Sequence, residues 1–146
     1  MMRVGTRMAT MFDQYFAPLG LTQAQFRTLL AVQEAGEEGI APSTLAERLM
    51  LERATVTVLT SRLVDEGLLQ RRPGPNRRTF RLILSSAGQE RLDQVIPLAI
   101  DLADRTLEGH TEEQLGVIAG ALDAIEARVR ASTERSGAGR PQQGDR

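Results

Sequence analysis

The chain of 146 residues contains no cysteine. Disulfides, thiolate metal sites, cysteine nucleophiles and thiol-based redox sensing are thereby excluded. Histidine occurs once, at His110, too few for a histidine-rich zinc site, and no GxSxG, HExxH, Walker A or GxGxxG pattern occurs. An enzyme is disfavoured on these grounds, and no cofactor is expected. Lysine is missing as well: all 18 basic residues are arginine, so every phosphate contact the chain makes can be planar and bidentate. No apolar run approaches the ~18 residues that a membrane span needs. The opening stretch MMRVGTRMATMFDQYF alternates polar and apolar residues and lacks the continuous apolar core of a secretory signal. A cytoplasmic protein without a membrane partner is expected.

What is present fits one globular domain. Hydrophobic residues make up 41% and charged residues 25%, close to the globular average. The net charge of -1 conceals a segregation: Ser43 to Arg81 carries +4 and the remainder -5. A basic middle between acidic flanks fits a nucleic-acid-binding lobe on a separate scaffold, or a solvated charged surface.

Hydrophobic periodicity supplies the elements. Val4, Met8, Met11, Phe12, Tyr15 and Phe16 recur at helical spacing over residues 4–17, and Pro18 and Gly20 end that helix. Thr22 to Gln25 reads as a capping box with Leu21 and Phe26 as its hydrophobic staple. It opens a helix from Gln23 to Ala35 with Phe26, Leu29, Leu30 and Gln33 inward. Pro42 starts a short helix through Leu49, and Met50 to Glu52 leave room only for a turn. A helix from Arg53 to Glu66 follows, with Val56, Leu59, Thr60 and Leu63 on its inner stripe and Gly67 as its cap. Two helices joined so tightly form a helix-turn-helix.

Beyond Gly67 the period shortens. Leu68 to Arg72 and Thr79 to Leu84 are strand-like and flank Pro73-Gly74-Pro75-Asn76, which predicts a β-hairpin. Residues 71–81 hold five arginines and no acid. Ser86 to Gln89 reads as a second capping box, opening a helix that carries Leu92, Val95, Ile96, Ala99, Ile100, Ala103 and Leu107. Pro97 inside it is expected to kink it. Thr111 to Gln114 is a third box, ahead of Leu115, Ile118, Ala119, Leu122, Ile125 and Val129, in a helix expected to end near Ala131. Residues 132–146 are rich in Ser, Gly, Arg, Pro and Gln and read as a disordered tail. The apolar helical faces total more than one small lobe could cover. They belong either to intrachain core or to contact with another chain.

The order and the residues resemble the MarR (multiple-antibiotic-resistance regulator) family of winged-helix transcription factors. Leu45-Ala46-Glu47-Arg48-Leu49 is similar to the family's LAxxL helix, and Arg53 to Thr57 with Arg62-Leu63 to its recognition helix. Glu66-Gly67-Leu68-Leu69 resembles its turn into the wing. Asn76-Arg77-Arg78, then Leu82 to Ser85 and Gly88, resemble its DxR wing and LTxxG exit. Two positions depart: Asn76 stands where relatives usually carry Asp, and Val58 where a polar residue is common. Val58 points to contact with a thymine methyl in place of a base-edge hydrogen bond.

The resemblance implies a mainly α fold with a small β-hairpin wing, a winged helix-turn-helix lobe joined to a helical dimerisation region. Residues 1–131 would form the single MarR-like domain. Within it, 1–20 and 86–131 would be the dimerisation region and 22–85 the winged helix-turn-helix, with the wing at 68–85. The implied function is a homodimeric, ligand-responsive regulator, usually a repressor, on a pseudo-palindromic stretch of double-stranded DNA. The competing reading is a winged helix used as a protein-interaction module without sequence-specific DNA binding.

The expected DNA contacts are Ser43, Arg53, Thr55, Thr57, Ser61, Arg62, Arg71, Arg72, Asn76, Arg77 and Arg78. Arginine forks onto guanine or phosphate, and hydroxyls reach bases or phosphates. Arg77 stands out, because a hairpin-tip arginine with no acid nearby in sequence suits a narrow minor groove; the competing reading is a solubilising edge-strand charge. For Arg62 the competing reading is a surface pair with Asp65 or Glu66, and contact with DNA is the favoured one for the face as a whole. Family members bind small, often phenolic, anions, which makes Phe12, Tyr15, Phe16 and Arg27 the candidate pocket for an aromatic or anionic effector. Aromatic residues at that spacing also suit a plain core. His110 reads as a loop residue.

Overall fold

The computed structural model describes residues 2–137. Its elements run α1 (Met2–Phe16), α2 (Gln23–Glu34), α3 (Pro42–Leu49), α4 (Arg53–Asp65), β1 (Leu69–Pro73), β2 (Phe80–Leu84), α5 (Ser86–Leu107) and α6 (Glu112–Gly137). Short 3-10 turns occupy Ala17–Leu19 and Gly36–Glu38. The fold is mostly helical with one antiparallel hairpin, as expected. Two compact units divide it, one ending at Ala103 and the other beginning at Asp104.

In the first unit the core is built from Phe16, Leu29, Leu45, Val56, Leu63, Leu82 and Leu92, all essentially without exposed surface. Each fully buried side chain of this size contributes about 1.5–3 kcal/mol relative to leaving it in water. The buried residues of α2, α3 and α4 lie on one stripe of each helix, which faces this core. Thr22 caps α2 as a full box: its hydroxyl accepts from the Gln25 amide at 3.1 Å, and Gln25 Oε1 accepts from the Thr22 amide at 2.9 Å. Between α3 and α4, Met50 closes the turn in a left-handed conformation (φ 54°).

Strands β1 and β2 pair from Leu69 with Leu84 to Pro73 with Phe80. A one-residue bridge from Ile40 extends the sheet, through Ile40 N–H to the Leu82 carbonyl at 2.9 Å and the reverse bond at 2.8 Å. Periodicity carried no sign of it, because one bridged residue has no period. Gly39 (φ 71°) lets the chain approach there, since a Cβ would meet the Leu82 carbonyl.

The start of α5 corrects the expected capping box. The capping side chain is Ser85, not Ser86: its hydroxyl accepts from the Gly88 amide at 3.0 Å and donates to the Gly67 carbonyl at 2.6 Å. Gln89 instead joins Gln33 at 3.1 Å and Asp93 at 2.8 Å. The helix runs without a break through Pro97.

In the second unit, Thr111 and Gln114 cap α6 reciprocally, as expected. The helix continues past Ala131 to Gly137, so residues 132–137 of the expected tail are helical. Residues 138–146, the rest of that tail, lie outside the described residues. Ile118, Leu122, Ile125 and Val129 form a stripe along α6, each 41% or more exposed in the single chain.

Candidate nucleic-acid interface

Helix α4 is fixed by its inner face. Val56, Thr60 and Leu63 are buried, which leaves Arg53, Thr55, Thr57, Val58 and Arg62 exposed on the opposite side. The Thr57 hydroxyl donates to the Arg53 carbonyl at 2.9 Å, so its oxygen keeps acceptor capacity for a donor on a ligand. Arg62 lies 3.8 Å from Glu66, an exposed i,i+4 pair of the weak kind that a phosphate displaces at small cost. Val58 is 72% exposed, an apolar residue in the middle of an otherwise polar face. Ser43 is half-buried in the first turn of α3.

A cavity of about 450 Å³ flanks this helix, lined by Thr22, Gln25, Ala54, Thr55, Val58, Leu59 and Arg62. It was not foreseen, because it forms between the N-terminus of α2 and the flank of α4, which are far apart in sequence.

The hairpin tip closes on itself. Gly74 N–H donates to the Thr79 carbonyl at 2.9 Å, Thr79 donates twice to the Asn76 carbonyl, and Asn76 Oδ1 accepts from the Arg78 amide at 3.2 Å. Asn76 therefore acts through the backbone turn of the tip. Arg77 and Arg78 are exposed, and their guanidinium groups have no protein partner among the described residues.

The other arginines of the hairpin are engaged. Arg71 donates to Ser61 Oγ at 3.1 Å and lies over the Phe80 ring, 5.3 Å from its centroid. Arg72 and Arg81 face each other across the strands. Like charges so placed repel, but each finds a carbonyl: Arg72 that of Glu37 and Arg81 that of Gly39, both at 3.1 Å. The same device recurs in Arg48 to Ala31 at 3.3 Å, and in Arg91 to Leu19 at 2.9 Å. Arg71 and Arg72 are expected DNA contacts on the ground that the hairpin arginines alternate in facing, so that about half of them reach phosphate. In the single chain their partners are a hydroxyl, a ring and a backbone oxygen, which leave no pattern in the sequence.

Of the four candidate effector residues, three come together. Phe16 lies 5.5 Å from Phe12, 5.8 Å from Tyr15 and 5.7 Å from Phe26, ring centre to ring centre. Phe16 is wholly buried, whereas Phe12 and Tyr15 are half-buried. Arg27 turns its guanidinium to the Leu49 carbonyl at the end of α3, at 3.5 Å. Among the described residues no cluster of acids and histidines suits a metal ion, and no helix is long and apolar enough to cross a membrane.

Comparison with known proteins agrees with this geometry. The model of the MarR family matches residues 19–78. The HTH-type transcriptional repressor YetL of Bacillus subtilis is 27% identical over 112 residues, covering 76% of this chain and 67% of YetL. Among solved structures, a mutant MarR of Escherichia coli complexed with operator DNA is similar at a TM-score of 0.77. That match has 24% identity and covers 84% of this chain and 88% of that one. The regulator MOSR of M. tuberculosis in complex with DNA is similar at a TM-score of 0.68 and 27% identity, over 86% of this chain and 92% of the other.

Proposed function

We propose that the chain is a DNA-binding transcriptional regulator of the MarR family, whose model matches residues 19–78, and, from that premise, a homodimeric repressor of a pseudo-palindromic operator, released by a small aromatic anion. One observation carries the DNA part of this reading. The polar face of α4 and the unpartnered Arg77 and Arg78 of the hairpin tip are the exposed donors of a lobe whose remaining hairpin arginines are occupied. In this reading α4 enters the major groove and the tip reaches the adjacent minor groove.

Dimerisation is supported by α6. Its exposed residues Ile118, Leu122, Ile125 and Val129 recur at alternating spacings of four and three, the pattern of a helix–helix seam. A two-fold axis would then set two α4 helices about one DNA turn apart, ~34 Å. Ligand response is supported by Phe12 and Tyr15, whose half-buried rings pack on Phe16 and leave part of an aromatic surface, a phenol included, open to a ligand. A ligand there acts only if it binds one arrangement of the two lobes better than the other.

Fluorescence anisotropy with palindromic duplexes from promoters next to the gene tests the reading, with sedimentation for stoichiometry. Two chains per duplex are expected. With 6–10 phosphate contacts, affinity should fall ~10³–10⁵-fold between 50 and 200 mM salt. A flat salt profile would favour the protein-interaction module, and one chain per duplex would reject the dimer. Salicylate should lower operator affinity, and Tyr15→Ala should abolish that response while leaving DNA binding intact.

A further inference from the structure

Consecutive residues of a strand point to opposite faces of the hairpin. Arg71 and Arg72 are consecutive in β1, and each face is tied to a different element: Arg71 to α4 through Ser61, and Arg72 to the Gly36–Glu38 turn through the Glu37 carbonyl. Arg81, opposite Arg72, reinforces the second tie through Gly39. On the first face Arg71 has no such reinforcement from an arginine. Its bond to Ser61 is a polar side-chain tie between the hairpin and α4, outside the buried core.

We propose that Arg71 is a positioning residue, which holds the wing at a set angle to α4 and so places Arg77 and Arg78 on the DNA, without itself contacting a phosphate. The proposal rests on the DNA-binding reading above and assigns a role within it. A guanidinium offers a flat face and an edge of donors. Phe80 covers the face and Ser61 takes one end of the edge. Phe80 is the diagonal cross-strand neighbour of Arg71, since Arg71 pairs with Leu82, so both strands are gripped at once. The base of the hairpin is already held to α4, by the chain at residues 66–68 and by Leu69 and Leu82, which share the buried core with Val56 and Leu63. The Arg71 contact adds an attachment farther out along the strands, toward the tip, where the buried contacts have ended.

Charge-preserving variants separate a brace from a phosphate contact. Ser61→Ala and Phe80→Leu remove the two supports of Arg71 and leave every cation in place. Each should weaken operator binding about three- to ten-fold, with the dependence of log affinity on log salt as in the wild type. Arg71→Ala should weaken binding by a similar factor with the salt slope nearly unchanged, whereas Arg77→Ala should lower the slope by about 0.9, the signature of one lost phosphate. Ser61→Ala combined with Arg71→Ala should be no worse than Arg71→Ala alone, because both remove the same contact. In the free protein, amide hydrogen exchange across the hairpin should quicken in Ser61→Ala. Three results would each overturn the brace: a slope lowered by about 0.9 in Arg71→Ala, additive losses in the double variant, or unchanged exchange in the hairpin. Failure of the wild type to bind duplex DNA would instead sink the underlying reading, and the exchange measurement would still decide whether Arg71 holds the hairpin.

Discussion

A Cβ at position 88 would overlap the carbonyl oxygen of Leu68, so the first turn of α5 can lie against the start of the hairpin only with glycine there. Gly88→Ala should cost about 1–3 kcal/mol, the usual size of an overpacking strain, read as a lower urea midpoint. Arg77 is the opposite case, a residue whose removal disturbs nothing inside the protein. Arg77→Ala should weaken operator binding more than ten-fold and leave the thermal midpoint within a degree or so, because an exposed tip buries little. Binding equal to wild type would show that the tip does not reach DNA. Asn76 lies between these cases. Its side chain shapes the tip by accepting from the Arg78 amide, a role that needs only a short acceptor two residues before the donor.

The junction of β2 and α5 makes an element-scale test. Ser85 serves the Gly88 amide and the Gly67 carbonyl at once, so Ser85→Ala should destabilise by about 1–2 kcal/mol. Ser86→Ala, at an exposed first helical position, should change stability by less than about 0.5 kcal/mol. Equal effects in urea titrations would contradict the cap assignment. This is also where the legibility of the sequence divides. Periodicity and capping chemistry located the six α-helices and the hairpin, because both are local signals, but missed the last six residues of α6, where the composition turns polar, and the two short 3-10 turns. Two adjacent serines are both good caps, and only the Gly67 carbonyl, brought close by folding, chooses between them. The exposed face of α4 was equally legible, being the complement of its buried stripe. The engagement of Arg27, Arg71 and Arg72 was not, since a carbonyl acceptor belongs to any residue and marks none.

For the whole molecule, the stripe on α6 carries the strongest expectation. In the single chain Leu122 is exposed, so Leu122→Asp buries no charge within the chain itself. If the stripe is the subunit seam, that variant should sediment as a monomer and lose most operator affinity, because each half-site alone binds weakly. An unchanged dimer would place the seam elsewhere. The absence of cysteine sets a second expectation. Diamide or a hydroperoxide should not release the protein from its operator through sulfenate or disulfide chemistry. Rapid release reversed by a thiol reductant would contradict it.

The hydrogen bonds that close Gly74 to Thr79 run only among the tip's own residues, and the arginines tying the hairpin to the lobe all lie outside it. The tip is thus a cassette: its two arginines can be exchanged, lengthened or lost without renegotiating the packing beneath. If the tip and α4 read DNA as proposed, selection at the tip retunes one contact while α4 keeps its own targets. Duplicated copies of the gene could diverge in operator choice by a few codons between 74 and 79.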